Sequence, residues 1–577
     1  MNRSRISGAS AFCAVMERLG IDTVFGLPGT QNIDLYEALR NSSIRTVLAT
    51  SETSAAFMAN GYYRSSGRTA AILTIPGPGF AYAVPGLAEA KHDSAAMVHI
   101  VVTRNEPLDH KFKLQALDIE AIACPIVKKT FVIDTAASIE PILTQAYTEA
   151  VTGEPGPVVV IIDRLSLLDK IDVPGESSPD TIGNKSATDG QVDEVADIIA
   201  QSDAVAILAG QGAADAATQI VRLAEMLESP VITTCSGRGL IPESHRLSFD
   251  IDYSIGGVEH VNKLFGKCDL ILAIGCKFSH NGTAGFALDI PQSKLVHVDA
   301  SEEVLASKNY PAKMEIHSDA KTFIEMLLAR AESFSDRSRG FANFGKMKTN
   351  VRIERTSRLE HEPKIDGAET EGLSRFFEVI NELASRETII VTDAGLHQTL
   401  TRNYLIVERP RGLVVPSDMQ SMGFGLPAAI GAGLANPDKK ILAIVGDGCF
   451  RISAMELTTA VREGIDLTLV LFSDTVLGSI RFQQLASFGQ EHAVRVGPVD
   501  YADLSRSLGV AYFYLQGSPE QVIEKCVSTP GVKLLEVKLK DSATLQKMQR
   551  KAIIREKISN SPVANVIKGI KNRLKLD

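Results

Sequence analysis

At 577 residues the chain is long enough for three or four domains of ordinary size, and its 45% hydrophobic, 22% charged composition is that of a globular protein. A formal net charge of −9 gives no electrostatic reason to expect a nucleic-acid partner, and no apolar run is long enough to span a membrane. The seven cysteines are scattered without a CxxC pair, and the N-terminus patterns as an amphipathic helix without a signal-peptide core, so a reduced, cytoplasmic setting is expected.

From Ser10 to Arg68 the signals alternate helix, strand, helix, strand, helix. Gly26-Leu27-Pro28-Gly29 breaks the chain after the apolar Thr23-Val24-Phe25. The run Thr46-Val47-Leu48-Ala49 reads as a strand delivering Ser51-Glu52 to its C-terminal end, ahead of a helix of small residues that ends Gly61-Tyr62-Tyr63-Arg64. Read alone, Glu52 is equally a first-turn glutamate favoured by the helix dipole. Ile72 to Ile75 then leads into Gly77-Pro78-Gly79, with Tyr82 just beyond. Gln115 precedes a helical run, where glutamine is most often plain surface, and the strand Pro157 to Asp163 closes a first domain over 1–172.

A stretch rich in Pro, Ser, Gly and Asp then reads as a linker, and a second α/β unit occupies 190–340. The turn Gly210-Gln211-Gly212 after its first strand is a weak dinucleotide-type signal lacking the third glycine and an acidic partner. A charged connection leads to a third domain over 370–540, whose strand Thr388 to Asp393 runs into Ala394-Gly395-Leu396-His397. His397 by itself could be a capping or buried, hydrogen-bonded imidazole. Next comes Ser421-Met422-Gly423-Phe424-Gly425, and then a short buried strand that stops at Gly446-Asp447-Gly448-Cys449. A helical pattern follows, with Ile452, Met455, Leu457 and Val461 apolar and Arg451, Glu456 and Glu463 polar. The next strand ends at Ser473-Asp474, 27 residues beyond Asp447. An acidic residue thus stands at the C-terminal end of each strand of one βαβ unit, the edge where ligands bind in open α/β sheets. Two carboxylates beside glycines and a helix N-terminus suit a divalent metal carrying a diphosphate. The tail, 541–577, carries nine Lys or Arg against three Asp or Glu and patterns as a basic helix.

Taken together, these motifs resemble the thiamine-diphosphate (ThDP)-dependent enzymes, in the group that holds acetolactate synthase, pyruvate oxidase and benzoylformate decarboxylase. The likeness spans most of 5–540 and is strongest over 385–480. It implies an α/β fold of three doubly wound parallel-sheet domains: pyrimidine-binding, central and diphosphate-binding. By the same resemblance Glu52 hydrogen-bonds N1′ of the cofactor's aminopyrimidine and so promotes loss of the thiazolium C2 proton, and Gln115 faces the active centre. Pro28 and Gly29 belong to the turn beside the cofactor, Gly395 and His397 touch the diphosphate, and Met422 supports the bent cofactor. The motif that opens with Gly446, Asp447, Gly448 and Cys449 and closes at Asp474 holds the diphosphate. Its Mg2+ ligands are Asp447, Asp474 and the Val476 carbonyl.

The implied reaction is decarboxylation of a 2-oxo acid with carboligation to a second carbonyl, an aldehyde or ketone, by a homodimer or homotetramer. A simple non-oxidative decarboxylase, an FAD-dependent oxidase and a catalytically impaired ThDP-binding paralogue are the alternatives. The chain departs from the family pattern at four points. Ser473-Asp474 replaces an asparagine pair, Tyr82 an asparagine, and Lys277 the arginine common in flavin-bearing relatives, so FAD is not favoured. No tryptophan exists anywhere in the chain to shape an acceptor pocket.

Overall fold

The computed structural model describes residues 5–104, 111–173, 175, 185–251, 258–334, 344–345, 348, 365–366, 373–384, 387–488 and 490–539. The basic tail expected over 541–577 and most of the charged connection before the third domain lie outside these. Three six-stranded sheets form the body, each parallel throughout. In the first the order is Arg45–Leu48, Thr23–Gly26, Ala70–Thr74, Met97–Thr103, Pro157–Asp163, Lys129–Ile133. The central sheet runs Ser248–Asp250, Val231–Thr233, Val205–Ala209, Leu270–Ile274, Leu295–Asp299, Met314–His317. The third runs Leu413–Val414, Ile389–Thr392, Ile441–Gly446, Leu467–Ser473, Val532–Lys538, Ala511–Tyr514. Inner strands such as Ala70–Thr74, Val205–Ala209 and Leu467–Ser473 are buried along their whole length. Helices on both faces exclude water, so these strands read as continuous apolar runs without alternation. This is the three-domain α/β architecture that the motifs imply.

The first and third domains are packed backbone to backbone. Helix Glu52–Ser66 lies along helix Gly425–Ala435 so closely that a Cβ on Gly61 would stand 2.0 Å from the Ala428 carbonyl oxygen. A Cβ on Gly431 would stand 1.9 Å from that of Met58. Only glycine permits such an approach. Phe57 and Phe424 meet edge to face at 5.3 Å beside it, and one hydrophobic core runs through both domains. Arg64, the last residue of the Gly-Tyr-Tyr-Arg run, is buried where all three domains meet. Its guanidinium lies 3.0 Å from the Asp93 carboxylate and donates to the Val415 carbonyl and, at 3.1 Å, to Gln211 of the central domain.

The helical pattern read after Gly448 needs correction. It is not one helix but Asp447–Ser453, a 3-10 turn Ala454–Glu456, and Leu457–Arg462. The tighter turn breaks the 3.6-residue period, so Phe450, Leu457 and Ala460 face the core while Ile452 and Met455 are 61% and 54% exposed. Glu456, which the pattern put among the polar positions, is fully buried. Its carboxylate accepts the Thr50 N–H at 2.9 Å and the Thr459 hydroxyl at 2.8 Å, tying the strand end before Glu52 to the third domain.

Candidate active site

Strand order in the third sheet reverses between Ile389–Thr392 and Ile441–Gly446, and a crevice opens beyond the C-terminal ends of such a pair. A cleft of ≈ 200 Å³ lies there, walled by 394–397, Met422, 446–449, Phe472, Asp474 and 476–480. Two glycines make room for it. A Cβ on Gly446 would sit 2.8 Å from His397 Nδ1, and one on Gly448 would sit 2.8 Å from Leu477 and 3.7 Å from the Met422 methyl. Gly395, at φ 137°, turns the chain into helix Leu396–Tyr404 and places His397 against Gly446. Burial pushes the imidazole down to about 4, so it is neutral, and its Nε2 has no hydrogen-bond partner among the described residues. The Nδ1–Cε1 edge of the ring packs on Gly395 and Gly446, and in the tautomer that keeps its one proton on Nε2 the neutral imidazole has an N–H to give to a phosphate oxygen.

The carboxylates expected to hold metal both line this cleft. Asp447 accepts the Thr475 N–H at 2.8 Å, and burial raises its carboxyl above the usual range. Asp474 accepts the Val476 N–H at 3.1 Å, which folds the 474–476 turn back over Asp447, with Thr475 at φ 59°. Ser473 does not share in this: its hydroxyl donates to Glu536 at 2.6 Å, beneath the cleft. Cys449 is buried and donates its thiol to the Ala394 carbonyl. Two carboxylates, a glycine cradle and an orphaned imidazole therefore fit a metal–diphosphate group. Met422 contributes a thioether at the rim, 41% exposed.

Glu52, Gln115, Pro28 and Gly29 gather elsewhere, at the C-terminal edge of the first sheet. Ser51 caps helix Glu52–Ser66 and Glu52 is its first residue, half-buried, its carboxyl raised by that burial. A Cβ on Gly79 would lie 3.4 Å from Glu52 Oε1, so the Gly77-Pro78-Gly79 turn forms the floor beneath the carboxylate. Gln115, at φ 57°, rests on Gly77, where a Cβ would come within 2.9 Å of its own, and accepts a hydrogen bond from the Gln31 amide. Gly29 donates to Asn32 at 2.7 Å in the turn opposite, with Pro28 exposed beside it. None of these residues lines the cleft of the third domain. Within one chain they thus form a second cluster, apart from that cleft.

Three profiles of thiamine pyrophosphate enzymes match the chain: the N-terminal TPP binding domain over residues 6–122, the central domain over 192–327 and the C-terminal TPP binding domain over 393–537. A protein named probable acetolactate synthase large subunit from Methanocaldococcus jannaschii is 30% identical over 544 residues, 90% of this chain and 89% of its own length. The chain belongs to the ThDP-dependent enzyme family. Other relatives of that family are an acetolactate synthase of Mycobacterium bovis, 30% identical over 88% of this chain and 83% of its own, and acetolactate synthase isozyme 1 large subunit of Escherichia coli, 27% identical over 93% and 94%. The two matched TPP binding domains contain the two clusters, one each.

Several residues that support these two clusters were not singled out by sequence. Asp393 is fully buried, its carboxyl pushed up to about 6 by that burial, and accepts N–H groups of Ala394 (2.8 Å), Gly423 (3.1 Å) and Gly425 (2.7 Å). It directly follows the strand Ile389–Thr392 and stands two residues before Gly395, a weaker form of the signal that marked Asp447 between two glycines. Glu456 and Gln31 carried no such signal, since a glutamate within a helix or a glutamine in a turn usually faces water.

Proposed function

We propose that the chain is a ThDP- and Mg2+-dependent enzyme that decarboxylates a 2-oxo acid and joins the remaining acyl unit to a second carbonyl compound. The observation that carries this is the retention of both half-sites: a half-buried Glu52 over a glycine floor, and a glycine-lined cleft with two carboxylates and an orphaned imidazole. Bound ThDP supplies an electron sink for the bond that breaks when CO2 leaves. The chain's residues do the rest. Asp447, Asp474 and the Val476 carbonyl take the metal, while backbone N–H groups at Gly446–Cys449 and His397 Nε2 take phosphate oxygens. Met422 fills the apolar gap under the cofactor, and Glu52 holds or releases the proton at N1′ as the cycle requires. Asp474→Asn removes one negative charge beside the diphosphate while keeping an oxygen for the metal. It is expected to leave Mg2+–ThDP affinity unchanged or tighter in a binding titration.

One chain does not bring Glu52 to the cleft, so two chains are required for a whole site, and a homodimer is the minimum assembly. Exposed apolar side chains near both halves, Tyr82, Phe112 and Leu114 on one and Ile452, Met455 and Ile480 on the other, support this. No flavin is assigned to the central domain. Its cleft of ≈ 220 Å³ holds Lys277 paired at 2.6 Å with Glu154, which also takes the Ser94 hydroxyl. Asp299, also lining the cleft, has its carboxyl pushed up to about 7 by burial. A paired lysine among acidic groups suits a diphosphate poorly, and no step is drawn through it.

Tyr82 in place of asparagine and the lack of any tryptophan change the volume and polarity expected around the thiazolium, so the preferred pair is not two pyruvates. Incubation with ThDP, Mg2+ and a panel of 2-oxo acids and aldehydes, following CO2 and products, tests this reading. Cofactor-dependent CO2 release with a mixed ligation product is expected. Efficient acetolactate formation from pyruvate alone would overturn the substrate assignment, an aldehyde as sole product would make the enzyme a simple decarboxylase, and no turnover of any acid would leave a ThDP-binding paralogue.

A further inference from the structure

Glu89 has no part in the reaction described above, yet it is fully buried. It lies near the C-terminal end of helix Pro78–His92, in the first domain, and reaches into the third. Its Oε2 accepts the Ser421 N–H at 2.8 Å, while Oε1 is buried without a hydrogen-bond partner among the described residues. A carboxylate is costly to bury on one hydrogen bond, and such groups persist where they fix a geometry. One turn further on, Asp93 accepts the Ser417 N–H at 3.0 Å, the Asn60 amide at 3.0 Å and the Ser417 hydroxyl, beside Arg64. Two carboxylates, one in the last turn of this helix and one at its C-cap, thus pin both ends of 417–421. Asp393 pins Gly423 and Gly425 from the other side. Met422 sits between the anchored amides of Ser421 and Gly423, its methyl turned toward Gly448. Burial, then the charge of Asp93, pushes Glu89 up to about 7.

We propose that Glu89 is a positioning residue for the ThDP site: through the Ser421 N–H it sets the place of the Met422 thioether, and hence the bend of the bound cofactor. This rests on the reading of Met422 as the cofactor's support. It differs from a purely structural role in what should move. The diphosphate and metal ligands stay untouched, so affinity should survive while the geometry at C2 suffers.

The test uses the full-length protein in four forms: wild type, Glu89→Ala, Met422→Ala and the double variant. Without cofactor, amide hydrogen exchange of segment 417–425 should rise about tenfold in Glu89→Ala. With Mg2+ and ThDP, C2–H/D exchange should slow about tenfold in Glu89→Ala, with cofactor affinity changed by less than about threefold. Glu89→Gln, which keeps an acceptor oxygen, should restore most of both. Adding Glu89→Ala to Met422→Ala should cost nothing further, because the two act through one contact. Should Glu89→Ala fail to fold, Glu89→Asp, which withdraws the carboxylate by one methylene, replaces it in the cycle. Multiplicative losses in the double variant, or a loosened segment with unchanged C2 exchange, overturn the proposal alone. Absence of C2 exchange in the wild type would remove the ThDP reading and this proposal with it.

Discussion

Replacing Glu52 by glutamine is expected to leave fold and ThDP affinity intact and to slow C2–H/D exchange on bound ThDP by about 10²–10⁴-fold. The amide matches the carboxylate in size, and the Ser51 cap and the Gly77–Gly79 floor do not depend on its charge. What is lost is a group able to hold a proton and give it back. Glu52 is suited to this because burial already lifts its carboxyl toward neutrality. Quenched-flow NMR of bound ThDP measures the exchange directly, and a rate equal to wild type would exclude Glu52 from proton transfer.

The second large effect is expected at Asp447. Asp447→Ala removes a buried carboxylate proposed to hold the metal and also strips the Thr475 N–H of its acceptor, so the 474–476 turn that carries Asp474 loses its anchor. Mg2+–ThDP affinity should fall by more than about 100-fold, visible as loss of cofactor-induced thermal stabilisation. Because Glu52 and Asp447 belong to different half-sites, mixing inactive Glu52→Gln with inactive Asp447→Ala should restore part of the activity on subunit exchange. A fully active monomer in sedimentation would contradict the two-chain site.

Three parallel sheets and the family were legible from apolar runs that end in glycine or acid, because a strand buried on both faces leaves that mark on sequence. Short edge strands were not. Leu413–Val414 and Ser248–Asp250 are too brief to carry a period, and Arg5–Ser7, which pairs antiparallel with Lys170–Asp172, sits outside the main sheets. The same limit applies to the site. Asp447 and Glu52 stand at strand ends, where pattern and chemistry coincide. Glu89 and Glu456 lie within helical stretches, and only tertiary packing turns a helical glutamate from water to the interior. The exposed Ile452 and Met455 were misread for the converse reason: a 3-10 turn shifts the face, and the single chain leaves that face bare.

The seam between helices Glu52–Ser66 and Gly425–Ala435 also bears on how the chain is made. The first helix leaves the ribosome early, but the end of its mate follows roughly 370 residues later. At about 5–20 residues per second that delay is roughly 20–70 s. Throughout it, a helix that is buried almost end to end in the finished molecule shows a bare face to the cell. That small-residue groove is the same in every copy of the protein. A neighbouring nascent chain's 425–435 segment can therefore occupy the groove first, and on a crowded polysome the faithful pairing depends on the intramolecular partner arriving at higher local concentration.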